Sequence, residues 1–387
     1  MEVDLGMKVS KRGAVPPFYV MEVMKAAARR EAEGKDVLHL EVGQPSTKAP
    51  QGVIDAATRA LREERLGYTD ALGIPELRTR IARHYRDYYG VRVPAERIAV
   101  TTGSSGAFLL SFLASMDAGD RLALAEPGYP AYRNILTSLD IEAVGVPVGP
   151  ETRFQPTPEV LDRVEGPIHS LLVATPANPT GTMLSADDLR ALISWCDERD
   201  TRLIVDEIYH GITYHGRAVT AAALSDRVIV INSFSKYFSM TGWRLGWMVV
   251  PEDLHRSVEC LAQNHFISPP AHSQTAAIAA FDCVEEVEAN VERYRANREV
   301  LLRELPKAGF DELAPADGAF YIYADVSGLT DDSAEFCKRM LAETGVAATP
   351  GIDFDPPRGH RYVRFSFAGA TEEMEEAAAR LKKWLDR

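Results

Sequence analysis

Between residues 97 and 250, short apolar and β-branched runs recur along the chain, separated by stretches whose apolar positions follow a helical period. The runs 97–101, 121–125, 170–174, 202–206 and 228–231 lack the apolar–polar alternation of a half-exposed strand, so they predict strands covered on both faces. Of the intervening stretches, 185–196 carries the clearest helical signal. Leu189, Leu192, Ile193 and Cys196 share one face, and Ser185 with Asp188 predicts a capping box at its start. Alternation of this kind predicts an α/β fold with a mostly parallel sheet and helices on both of its faces. Beyond residue 284 the pattern changes to a long charged helix (about 284–307), a strand (320–325), a helix (333–344), a strand (362–367) and a last helix (372–385). The first 40 residues hold one helix, about 20–33, which cannot bury a core alone. The expected division is a large domain over 43–283 and a smaller α+β body made of 1–42 and 284–387.

Composition narrows the function more than the fold. With 387 residues there is room for both domains and a sizeable core. A formal charge of -13 argues against nucleic acid or an anionic membrane surface as partner, since both reward basic patches. No apolar run approaches the roughly 20 residues of a membrane span. Residues 1–10 include Glu2 and Asp4 and lack the apolar core of a signal peptide. Cys196, Cys260, Cys283 and Cys337 are widely spaced, which indicates neither a metal site nor a disulfide framework. A reduced, cytoplasmic setting is the expectation.

In an open parallel sheet, ligands bind beyond the carboxyl ends of the strands, and the chemically unusual residues fall at those ends. The first strand runs into Thr101-Thr-Gly-Ser104-Ser105-Gly, a turn feeding a helix N-terminus that can offer N–H groups and hydroxyls to a phosphate. Neither GxGxxG nor GxxxxGK[ST] occurs. The second strand ends in Glu126-Pro-Gly-Tyr129-Pro, where Tyr129 can stack on a flat heterocycle or simply pack the turn. The third ends in Pro176-Ala-Asn178-Pro-Thr-Gly, whose prolines fix the turn and aim Asn178. The fourth ends in Asp206-Glu-Ile-Tyr209. A carboxylate closing so apolar a run is costly to bury without a cation, such as a pyridinium nitrogen, unless Asp206 caps the turn. After the fifth strand comes 233–244 (SFSKYFSMTGWR), with Ser233, Lys236 and Arg244 among apolar and small neighbours. An amine that can form an imine beside an anion-binding cluster is what a phosphorylated aldehyde requires. Arg364, in the strand 362–367, either snorkels at a sheet edge or presents its fork to a carboxylate.

Taken in order, with Gly43 in EVGQP and Tyr68 in GYTDALGIPELR added, these residues resemble the class I/II aminotransferases, fold-type-I enzymes that use pyridoxal 5'-phosphate. The resemblance spans nearly the whole chain and implies a role for each residue. Lys236 would hold the cofactor as an imine and shuttle the substrate proton. Asp206 would pair with the ring nitrogen, Tyr209 and Asn178 would bind the ring hydroxyl, and Tyr129 would stack on the ring. Ser104, Ser105, Ser233 and Arg244 would hold the phosphate, joined by Tyr68 from a second subunit of a homodimer with composite sites. Arg364 would clamp the substrate α-carboxylate, helped by Asn178 and the Gly43 backbone. No metal is implied. The substrates would be an L-amino acid and a 2-oxo acid.

The same cofactor contacts would serve a C–S lyase or a decarboxylase, and a cofactor-sensing regulator could keep the fold. Such regulators usually add a DNA-binding segment, for which no room is expected before residue 20. As to substrate, the stretch 108–118 has no Lys or Arg to meet a second carboxylate, and Phe18 and Tyr19 are apolar residues that could line the entrance. This favours neutral donors, with Arg12, Arg133, Arg217 and Arg358 left as candidate second clamps.

Overall fold

The computed structural model describes residue 8 and residues 10–386. Most of 1–10, read above as lacking a leader, therefore lies outside the described residues. The chain opens with the helix Tyr19–Ala32 and a two-residue strand, β1 (Leu38–His39). Seven strands follow: β2 (Ile98–Thr101), β3 (Arg121–Glu126), β4 (Glu142–Pro147), β5 (Ser170–Ala174), β6 (Arg202–Asp206), β7 (Ile229–Ser233) and β8 (Gly246–Val249). They form one sheet in the order β2-β8-β7-β6-β5-β3-β4. All neighbours are parallel except β8, which runs antiparallel between β2 and β7.

The apolar runs do become buried strands, and the helix Ala186–Asp197 starts at the expected box, with Ser185 Oγ and the Asp188 carboxylate each accepting from the other's backbone N–H. Two strands of this sheet, β4 and β8, had no counterpart in the sequence reading. The first is mostly half-exposed at the sheet edge, with neither a buried run nor an alternation to read, and the second is only four residues long. The strand β8 matters for the site. Its first residue, Gly246, is registered against both Thr101 and Ser233, so the C-terminal ends of β2 and β7 flank the loop that leaves Lys236 and returns through Arg244.

The long helix Val284–Glu304 leads to a second sheet, antiparallel, of β9 (Glu312–Leu313), β10 (Tyr321–Asp325), β12 (Thr349–Pro350) and β13 (Tyr362–Ser366), in the order β12-β13-β10-β9. The short β11 (Val346–Ala347) pairs in parallel with β1, tying the N-terminal segment to this half of the chain. Its lead-in helix Ser333–Thr344 starts on the Asp332 carboxylate, which accepts from Ala334 and Glu335 N–H, and stops at Gly345 in the left-handed region. No helix among the described residues is long and apolar enough to cross a membrane.

Candidate active site

At the end of β2, Thr101 Oγ1 donates to the Gly103 carbonyl (2.8 Å), and Gly103 takes φ +72° to start the helix Gly103–Ser115. A Cβ at Gly103 would stand 2.6 Å from Arg244 Nη2, so the glycine is what lets the guanidinium lie against the first helical turn. Arg244 is itself in the left-handed region and is braced by a bond from Nη1 to the Thr241 carbonyl (2.9 Å). Beside it, Ser233 Oγ donates to Ser235 Oγ (2.9 Å) at the end of β7. Half-buried Ser104, exposed Ser105, the free N–H groups of the helix start, two hydroxyls and one guanidinium therefore converge on one corner. Such a corner can hold a phosphate through hydrogen bonds and the helix dipole.

Lys236 Nζ donates to the Gly43 carbonyl (2.6 Å) and lies 5.6 Å from the centre of the Tyr209 ring. Burial pushes its pKa down to about 8, with Arg364 and then Arg244 adding to the effect and Asp206 opposing it. Asp206, 2% exposed at the end of β6, accepts from the Ile208 N–H (3.0 Å) and from the Tyr132 hydroxyl. Burial raises its carboxyl to about 6, against these two bonds and the more distant Lys236. No Lys, Arg or His among the described residues forms an ion pair with it.

Tyr209 and Tyr321 are hydrogen-bonded, hydroxyl to hydroxyl, at 2.6 Å. Arg364, 3% exposed on β13, donates from Nη1 to Asn178 Oδ1 (2.9 Å) and from Nη2 to the Glu41 carbonyl (2.5 Å) and Thr349 Oγ1 (3.3 Å). Its guanidinium is held between the Tyr321 and Phe354 rings, at 4.4 and 4.8 Å, and its Nε has no partner. A buried cation with only neutral partners can take a carboxylate bidentately. Tyr129 is half-buried, edge-on to Tyr132 (5.3 Å) and 6.0 Å from Phe18, which brings the N-terminal segment over this edge.

The family described as aminotransferase class I and II matches residues 35–381. The chain belongs to the class I and II aminotransferases. It is 52% identical over 382 residues, 98% of each chain, to the valine–pyruvate aminotransferase of Mycobacterium tuberculosis. A crystal structure of an aminotransferase from Mycobacterium tuberculosis, 52% identical, superimposes with a TM-score of 0.96 over 98% of this chain and 99% of the other. The maleate complex of Thermus thermophilus aspartate aminotransferase, at 31% identity, gives 0.92 over 97% and 99%.

This aminotransferase accordingly uses pyridoxal 5'-phosphate and moves an amino group from an amino acid to a 2-oxo acid. Its residues fit that cofactor on their own terms. Asp206 is a buried carboxylate without a paired cation, Lys236 is a half-buried amine bonded to a single carbonyl, and the Gly103–Arg244 corner is an anion cradle that a Cβ would fill.

Four parts of the cluster were not singled out in the sequence: Tyr132, Ser235, Tyr321 and the Glu41 carbonyl. Tyr132 follows Tyr129 by one helical turn and Ser235 follows Ser233 by two residues, spacings that could have flagged both. Tyr68 is the predicted residue that stands apart, 84% exposed on the outer surface.

Proposed function

We propose that this aminotransferase takes its amino group from neutral amino acids, valine among them, and passes it to pyruvate. The observation that carries this reading is the engagement of every candidate second clamp. Arg133 donates to the Asp353 and Phe354 carbonyls, and Arg358 to the Asp355 carboxylate and the Glu126 carbonyl. Arg12 pairs with Asp140, and Arg217 stacks on Tyr88 and donates to its carbonyl. With these guanidiniums held elsewhere, Arg364 is left to meet the α-carboxylate, and the aromatic edge of Phe18 and Tyr129 suits an uncharged side chain. The name of the Mycobacterium tuberculosis relative supports the same pair of substrates.

In this reading Arg364 and Asn178, with the Gly43 backbone, orient the α-carboxylate, which decides which bond at Cα faces the base. Lys236 Nζ takes and returns the Cα proton. A pKa near 8 leaves about a tenth of such amines neutral at pH 7. Bound pyridoxal phosphate supplies the electron sink. Asp206 keeps its ring nitrogen protonated, Tyr209 and Asn178 hold its ring hydroxyl, Tyr129 covers one face, and Ser104, Ser105, Ser233 and Arg244 hold its phosphate. Tyr68 reaches the phosphate of a second copy, making a cytoplasmic homodimer with composite sites, and residues 43–283 form the cofactor domain.

The test is a half-reaction screen of the twenty amino acids, following loss of the cofactor's absorbance in stopped flow, with pyruvate added back. Valine and other neutral donors should react at least tenfold faster than aspartate and glutamate, and Lys236→Ala with none. Faster reaction with the acidic donors would overturn the substrate assignment.

A further inference from the structure

Tyr321 belongs to β10 of the small sheet and is 1% exposed, yet it touches both parts of the site. Opposite it in register stands Ser366, two residues along β13 from Arg364. Tyr321 and Arg364 are therefore diagonal neighbours on one face, within reach of a ring and a long side chain, and the guanidinium carbon sits 4.4 Å from the ring centre. The hydroxyl end points the other way, to the Tyr209 hydroxyl beyond β6 (2.6 Å), with the two rings nearly perpendicular (81°). The same hydroxyl lies against Gly43, where any Cβ would overlap it, and the Gly43 carbonyl receives Lys236 Nζ.

We propose that Tyr321 is a positioning residue that ties the substrate clamp to the cofactor-side tyrosine, its ring supporting Arg364 and its hydroxyl setting the proton of Tyr209. The proposal rests on the roles given above to Arg364 and Tyr209. If Tyr321 donates to Tyr209 Oη, the Tyr209 proton is directed away from Tyr321, toward the ring oxygen of the cofactor. A hydroxyl that both accepts and donates is the stronger donor. The ring, for its part, gives Arg364 one of its two flat faces, and a cation held over a desolvated ring keeps its fork aimed without a charged partner that would compete with the substrate. The two contributions sit on different atoms, so different variants separate them.

In Tyr321→Phe the ring stays and the hydroxyl goes. More negative charge then remains on the cofactor's ring oxygen, and a proton held beside it leaves at higher pH. The midpoint of the pH titration of the bound cofactor's absorbance should rise by several tenths of a unit, with KM for the amino donor within about twofold of the parent. In Tyr321→Leu the ring goes as well. KM for the donor, and the dissociation constant of a non-reactive monocarboxylate such as 3-methylbutanoate measured by absorbance, should each rise about tenfold, more than kcat falls. Arg364→Ala is the control. If it leaves KM unchanged, the clamp assignment fails and this proposal fails with it. If it raises KM while both Tyr321 variants keep the parent's midpoint and KM, the clamp stands and Tyr321 is only packing. The isosteric Phe variant keeps the test valid should the Leu variant fold poorly.

Discussion

Asp206 shows how one residue can be unfavourable for the empty fold and yet, in the role proposed for it, serve the chemistry. Its carboxylate is almost fully buried and held by two neutral donors, and burial lifts its pKa from 3.8 to about 6. The sign follows from linkage. Below about pH 4 the group is protonated in both folded and unfolded chains and costs nothing. Between about pH 4 and pH 6 the unfolded chain ionises the group while burial keeps it protonated in the folded chain, so the penalty grows; above 6 the folded chain carries a buried anion and the penalty levels off, on the order of 3 kcal/mol against the cofactor-free protein. Asp206→Asn should therefore melt higher than the parent at pH 7 when both are stripped of cofactor, and no higher at pH 3, while kcat falls by about three orders of magnitude. Scanning calorimetry at the two pH values checks it, and a variant less stable than the parent at pH 7 would contradict the burial argument. Lys236, Asp206 and Arg364 stood out in the sequence because a charged residue inside an apolar run is costly wherever the run folds. Tyr132 and Tyr321 did not, since a tyrosine in an apolar segment is ordinary, and only its hydroxyl partner distinguishes it.

At the level of elements, strands and helices were legible wherever a period ran long enough to be read. The box at Ser185 and the buried runs β5, β6 and β7 follow from local pattern. The strand β8 does not, yet it decides the geometry, because its antiparallel insertion carries Arg244 back to the helix start at Gly103. Gly103→Ala tests that corner. It would force a side chain into φ +72° and set a Cβ 2.6 Å from Arg244 Nη2, displacing the guanidinium. Backbone strain of this kind costs about 1–2 kcal/mol, and the lost phosphate contact adds to it. Pyridoxal phosphate should bind the variant at least tenfold more weakly in a fluorescence titration of apoenzyme. Unchanged affinity would mean that Arg244 does not serve the phosphate.

For the whole molecule, the proposed second copy gives a reason for the exposure of Tyr68, at 84%, and of the apolar Leu61 (64%) and Ile267 (51%). A two-fold dimer would bring the Tyr68 of each chain to the site of the other. Mixing Tyr68→Ala with Lys236→Ala chains tests this by complementation. In the mixed dimer, the site with an intact Lys236 lies on the Tyr68→Ala chain and draws its Tyr68 from the other copy. Activity above both parents is expected; none, with mixed dimers shown by mass, would confine Tyr68 to its own subunit.

The chain by itself determined the α/β plan, the strand ends where chemistry gathers and the identity of the amine, the carboxylate and the arginine, because periodicity and the cost of buried charge are local properties. Only the tertiary structure decided which groups meet. Arg364 reaches Asn178 across 186 residues, Tyr321 reaches Tyr209 across 112, and Arg133 turns to the carbonyls of 353 and 354 rather than to the site. Those choices depend on how two sheets and an N-terminal helix pack together, and a linear pattern records which face of an element is buried but not what it is buried against.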